Sequence, residues 1–389
     1  MKRIGIFLMV LLIAAVFGSQ LVWAGGGGQS ASPQAVAKPL SKVRVAMHSN
    51  AAGAGLISTA IGKGFFAEYG IEAELTVVDS GPVEMAAMRA DNPTLDFGYI
   101  GAGVAWNPID TSGNSLSFIF FDILSNAERL LARKGIFIDS NNNGAFDYPE
   151  IYAGLRGKTV YFEIGTTAAN WFKDLVVAVN ENYAPADQLW FHCEDAAFLA
   201  GYNAPNNNPA NRIYAVNYAN SNIPAGMATA AGNESVDVAV AYEPVPSTIL
   251  RSVRDIELIA DITALPKDKV FPSTVVANTK WMTSNPELAK NCVYALYKAA
   301  LWRVDNAAQA MRFAERLSAK PEGTFEESTF YSLTAQDYRT WFATPDSQGF
   351  VYMRGLYNER LPNVPQGTAP KPFEQAVDFT YMLQAIKEL

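Results

Sequence analysis

The chain has only two cysteines and two histidines in 389 residues. A fold stapled by disulfides is excluded by that count, because one bridge, Cys193 to Cys292, is the most that can form. Spacing does not show that it forms, and two buried thiols is the plainer reading. A Ser/His/Asp triad or a zinc site would have to be built on His48 or His192, and neither stands in a spacing that helps. There is no glycine-rich phosphate loop and no repeat in the solenoid range. Charged residues make up 17%, with 30 Lys and Arg against 38 Asp and Glu, a net charge of -8. Such a chain repels nucleic-acid phosphates and anionic lipid, so neither is an expected partner.

Apolar residues are plentiful. They form 49% of a chain long enough for two domains or one large one. Lys2 and Arg3 precede an apolar run over residues 4–17, and small residues end at Val22-Trp23-Ala24, the pattern of a secretory signal cleaved after residue 24. The competing reading is an uncleaved anchor, but Gly18, Ser19 and Gln20 interrupt the run before it reaches spanning length. No cysteine lies at the junction to carry a lipid. Residues 25–39, rich in Gly, Ser, Gln and Ala, read as a flexible linker.

From residue 40 the pattern becomes regular. Residues 42–47 and 71–78 read as strands, with 48–55 a small polar loop and 56–69 an amphipathic helix that Gly70 stops. A helix over 82–89 and a strand over 95–100 follow, ending on Gly101-Ala102-Gly103. Strand, helix, strand, helix, strand describes a parallel α/β unit whose ligands gather at the strands' carboxyl ends. The pattern restarts with a strand over 158–164 and a helix over 168–179, then a strand over 236–242 and a short one over 275–277. Asn285-Pro286-Glu287 starts a long helix to about residue 304, and the remainder reads as helices with aromatic faces.

The strongest local motif is the segment 139–150. Asp139, Asn141, Asn143, Asp147 and Glu150 fall at loop positions 1, 3, 5, 9 and 12, with Gly144 at 6 and the Ala145 carbonyl available at 7. That spacing wraps an oxygen cage around Ca²⁺. An Asn-rich polar turn is the rival reading, but it does not account for Gly144 and Glu150 at their places.

The markers Ile61-Gly62-Lys63-Gly64-Phe65-Phe66, Tyr69-Gly70-Ile71, Asp96-Phe97-Gly98-Tyr99-Ile100-Gly101, Leu155-Arg156-Gly157-Lys158-Thr159-Val160, Tyr242-Glu243-Pro244 and Asn285-Pro286-Glu287-Leu288 occur in order. By them, residues 42–315 resemble the nitrate, sulfonate and taurine class of ABC-transporter substrate-binding proteins, related to the thiamine-pyrimidine-precursor binders. The resemblance implies a two-lobed periplasmic-binding-protein fold of type II, α/β in class, each lobe a mixed sheet flanked by helices. Two crossover hinge strands, near residues 122–127 and 271–277, would join the lobes. Lobe I then takes 40–125 and 275–389, and lobe II takes 126–274 with the calcium loop. The sequence departs from the class at 139–150, at 203–212 and after Ala319, the last a segment that could cover the cleft.

The expected ligand residues stand at strand ends: Asn50 and Ala51, Ser80, Gly101 with Ala102 and Gly103, Thr166 and Thr167, and Tyr242 with Glu243. Amide N–H groups and hydroxyls at a helix start favour an anionic or strongly polar ligand group, although Thr166 and Thr167 would serve equally as N-caps. Glu243 and Glu163 bring carboxylate where Lys and Arg are scarce, which suits an amine-bearing or heterocyclic ligand better than a bare anion; either could be a surface or hinge residue. Tyr99, Trp106 and Phe121 could stack on a ring, or be core. Asp79-Ser80-Gly81 matches half of an aspartic-protease site, but on a strand-to-helix turn chance explains it better. The expected function is an exported, monomeric solute-binding protein that serves an ABC importer permease, with no catalytic residue and structural Ca²⁺ as its only cofactor. The rivals are an enzyme of the related pyrimidine-precursor synthesis type and a calcium-dependent surface adhesion module.

Overall fold

The structure, a computed structural model, describes residues 39–101, 115–199, 208–230, 235–265, 272–326, 330–361 and 369–389. The signal and linker expectations (1–38), Ala102, Gly103 and Trp106 lie outside the described residues. Among the described residues no helix is long and apolar enough to cross a membrane.

Two six-stranded sheets organise residues 39–389. The first has the order β12-β4-β11-β3-β1-β2. Its strands are β1 (Ser41–His48), β2 (Ile71–Val78), β3 (Phe97–Gly101), β4 (Leu116–Ser125), β11 (Pro272–Asn278) and β12 (Phe330–Ser332). β1 pairs in parallel with β2 and β3, while β11 runs antiparallel to β3 and β4. β1 is central, so Val43, Val45, Ala46 and Met47 are all buried. β2 is the edge, and it turns Glu72 and Glu74 outward, the usual guard against edge-to-edge pairing.

The second sheet has the order β10-β5-β9-β6-β8-β7. It is built of β5 (Glu128–Arg133), β6 (Thr159–Phe162), β7 (Trp190–His192), β8 (Arg212–Asn217), β9 (Val238–Tyr242) and β10 (Ile256–Asp261). β6, β7, β8 and β9 form its parallel part, and β5 is antiparallel to β9 and β10. The chain passes from the first sheet to the second between Ser125 and Glu128, and returns between Asp261 and Pro272. The return strand β11 therefore begins three residues before the expected boundary at 275.

Helices cover both sheets, and the sequence pattern misplaces one of them. The expected helix 56–69 is two helices, Ala51–Gly62 and Phe65–Glu68, parted at Gly64, whose φ of 73° is open to glycine without steric cost. It starts earlier than expected because the Asn50 side chain accepts a hydrogen bond from the Gly53 N–H at 2.5 Å and caps it. Residues 51–60 are buried all round, so they carry no amphipathic signal. At the long helix Pro286–Asp305, Asn285 holds the N-cap place, but its amide bonds the Trp281 carbonyl behind it and caps nothing.

The segment after Ala319 belongs to the first sheet. β12 pairs with β4, and Tyr338 donates its hydroxyl to the carbonyls of Phe121 and Asp122 at 3.0 and 3.1 Å. Asp122 forms a fully buried ion pair with Arg303 of the long helix, at 2.6 Å. Lys371 is buried and donates to neutral acceptors, among them the Leu116 carbonyl at 2.8 Å and Ser117 Oγ at 3.1 Å. Cys292 is buried on the long helix and Cys193 half-buried after β7; both are free thiols.

Candidate functional site

Where the two sheets meet, a cavity opens with roughly 490 Å³ of atom-free space, part of it open to solvent. The first sheet supplies His48 and Asn50 from the end of β1, Tyr99 and Gly101 from β3, and Ser273 from β11. The second supplies Glu128 from the start of β5, Thr166 and Thr167 from the loop after β6, and Tyr242 from the end of β9. Five of the expected ligand residues, Asn50, Gly101, Thr166, Thr167 and Tyr242, thus line one cavity.

Three do not. Ala51 and Ser80 are buried, and it is their chain neighbours Ala52 and Gly81 that line it. Glu243 is buried with both carboxylate oxygens taken by Ser247, one by its N–H at 3.1 Å and one by its hydroxyl at 2.8 Å. It holds the start of the helix Val245–Ser252. Glu163 is similarly spent on the Asn220 N–H at 3.1 Å. Phe121 packs in the first-sheet core against Trp341 and Phe342.

The hydroxyls are partly committed as well. Thr166 caps the helix Thr167–Asn180, accepting from the Ala169 N–H at 3.3 Å and donating to the Glu163 carbonyl at 2.7 Å. Thr167 lies near enough to the Glu128 carboxyl to favour its ionised form. Glu128 is the residue that pattern reading missed. Its signal was a carboxylate in phase with Leu130 and Ala132, all three buried on β5. Burial pushes its carboxyl up, opposed first by the nearby Thr167 side chain.

Behind His48 stands a second buried carboxylate. His48 Nε2 lies 2.6 Å from Glu84 Oε2, an ion-pair distance, though not in line for a hydrogen bond. Burial raises the Glu84 carboxyl and His48 opposes it. Gly98 makes the room, since a Cβ there would lie 1.9 Å from Glu84 Oε1. Tyr99 is packed edge-on to His48 with ring centroids 6.3 Å apart, and burial raises its phenol well above the ordinary range. Neither Cys193 nor Cys292 lines the cavity.

The two walls touch at the cavity mouth. Tyr242 donates its hydroxyl to the Asp79 carbonyl at 3.1 Å. Gly101 lies so close to Thr167 that a Cβ on it would sit 2.3 Å from Thr167 Cγ2. Both walls are therefore drawn together around the space.

The segment 139–150 lies apart from this cavity, ahead of the helix Tyr148–Leu155. Asp139 accepts the N–H groups of Asn143 and Gly144 at 3.2 and 2.9 Å, and Glu150 those of Ser140 and Asp147 at 2.6 and 2.9 Å. Asn141 turns its amide nitrogen, not its oxygen, to Asp147 at 2.7 Å. Among the described residues no three His, Cys, Asp or Glu side chains are gathered so as to hold a metal.

No family profile matches the chain. A provisionally named binding protein of Brucella abortus is 24% identical over 270 residues, 69% of this chain and 69% of its own. Among solved structures, the periplasmic nitrate-binding protein of Synechocystis PCC 6803 is similar at a TM-score of 0.62 and 12% identity, over 90% of this chain and 89% of that one. The alkanesulfonate-binding protein of Xanthomonas axonopodis pv. citri, bound to MOPS, gives 0.54 at 15% identity, over 88% and 99%. A desulfurization enzyme gives 0.56 at 12%, over 89% and 99%. The chain thus has the two-lobed periplasmic-binding-protein fold, a mixed α/β architecture of two sheets flanked by helices.

Proposed function

We propose that this protein is an exported solute-binding protein of the nitrate, sulfonate and taurine class, which captures a small amine-bearing or heterocyclic ligand and delivers it to the permease of an ABC importer. The observation that carries the reading is the cavity itself, lined from the strand ends of both sheets and bridged at its mouth. Ligands of open α/β sheets gather at such ends. Two chain crossings leave the lobes free to hinge, so closure can be driven by contacts made only in the closed form. The protein acts as a monomer, freed of residues 1–24 on export.

A binding role is favoured over catalysis because the described lining holds a histidine but no cysteine, and the Thr166 hydroxyl is spent on capping a helix. The rival enzyme reading draws on the buried His48–Glu84 pair and on the desulfurization enzyme of like fold. Mass spectrometry of small molecules released from the purified protein separates the two. A stoichiometric compound recovered unchanged after rebinding supports capture, and its conversion to product would establish catalysis.

The loop 139–150 is proposed as a structural Ca²⁺ site. Its spacing supports this, as does Gly144 at a φ of 82° at the sharp turn such a loop needs. Asp139, Asn141, Asn143, Asp147 and Glu150 would hold the ion with the Ala145 carbonyl, exchanging hydrogen bonds now made within the loop for bonds to the metal.

A further inference from the structure

Resting on the reading of this cavity as a ligand site, we propose that Glu128 is the ligand-binding residue that anchors a protonated nitrogen, making the protein selective for small organic cations. The Glu128 side chain is 1% exposed and its Oε2 has no hydrogen-bond partner. A buried carboxylate oxygen left unmatched is costly, and a cation that donates a hydrogen bond to it removes that cost.

No other charge in the described lining can serve it. No Lys or Arg is among the described lining residues. Arg129, the next residue, lies outside the lining and turns its guanidinium to the Asn126 side chain and the Glu128 carbonyl, at 3.4 and 2.9 Å, so that its charge favours the Glu128 carboxylate without bonding it. The one ionisable cation in the wall, His48, already has Glu84 at 2.6 Å.

Glu128 also reverses what a helix start would otherwise invite. The N-terminus of the helix Thr167–Asn180 favours an anion, yet the Glu128 carboxyl already faces the same cavity beside Thr167, the first residue of that helix. A nitrate or sulfonate placed there would meet a carboxylate instead of a vacant dipole. The site chemistry is thus of opposite sign to the ligands named for the nitrate- and alkanesulfonate-binding neighbours. An ammonium, amidinium or protonated heterocyclic nitrogen fits it.

The test compares full-length wild type with E128Q and E128D by thermal shift at millimolar concentrations of three probe classes. The first is amines, benzylamine, agmatine and 4-aminomethylpyrimidine; the second their alcohol counterparts; the third nitrate and ethanesulfonate. The proposal expects at least one amine to raise the melting temperature where its alcohol does not. It expects E128Q to weaken that amine's affinity at least about 30-fold and E128D to keep part of it. E128Q is isosteric and relieves a buried carboxylate, so its ligand-free melt should equal or exceed that of wild type; a lower melt with amine binding retained would make Glu128 merely structural. Stabilisation by nitrate or ethanesulfonate, unchanged or stronger in E128Q, overturns the proposal while leaving the binding reading intact. No response to any class also overturns it, and the released-ligand measurement then decides the binding reading independently.

Discussion

Replacing Gly101 with alanine should hold the two lobes apart without harming either one. The glycine's φ lies outside the left-handed region, so its backbone accepts alanine without strain. The new Cβ, however, would sit 2.3 Å from Thr167 Cγ2. Ordinary carbon–carbon contact is about 3.5–4.0 Å, so the closed form is short by about 1.2–1.7 Å. Overpacking of this kind costs about 1–3 kcal/mol, and since it falls on the closed form alone it should weaken ligand binding about 5- to 150-fold. Calorimetric titration with the released ligand measures this, and chemical unfolding should show unaltered stability of the ligand-free protein. Thr167→Ser removes the offending methyl but keeps the hydroxyl, so G101A/T167S should regain most of the lost affinity. Wild-type affinity in G101A alone would refute the closed contact.

Two further perturbations follow from buried or clustered polar groups. Calcium should raise the melting temperature and chelation lower it, with Glu150→Ala abolishing the response; because Glu150 also caps the helix Tyr148–Leu155, the calcium response and not the melt alone is the readout, and its absence in wild type would reject the site. Burial depresses the Lys371 ammonium to about 8 from 10.5. The unfolded chain binds the extra proton between those values, so stability should rise with pH across that window, relieving roughly 3 kcal/mol present below it. Lys371→Met should flatten that rise in denaturant midpoints, and parallel wild-type and variant profiles would contradict it.

The parts of the fold that sequence made legible are those where one local rule governs. β2 has the expected bounds because Gly70 precedes it and its alternating Glu72 and Glu74 mark an edge. The helix starting at Ala51 was hidden because a segment buried on every side has no polar face to set a period. At the site, strand ends pointed to Asn50, Gly101, Thr166, Thr167 and Tyr242, all of which line the cavity. Glu243 and Glu163 looked equally suitable, but Ser247 takes both Glu243 oxygens and the Asn220 N–H one Glu163 oxygen, which depends on side-chain direction that spacing does not encode. Glu128 escaped notice because its role arises from pairing across chain segments, with Thr167 reaching it from another strand's end.

The claim that ligand is held by closure of two lobes is tested most directly by small-angle scattering of ligand-stripped and ligand-saturated protein. The account predicts a smaller radius of gyration when ligand is bound, with the saturated curve matching the structure in which Tyr242 reaches the Asp79 carbonyl and Gly101 meets Thr167. Superimposable curves for the two states, with stoichiometric ligand verified in the second, would contradict it.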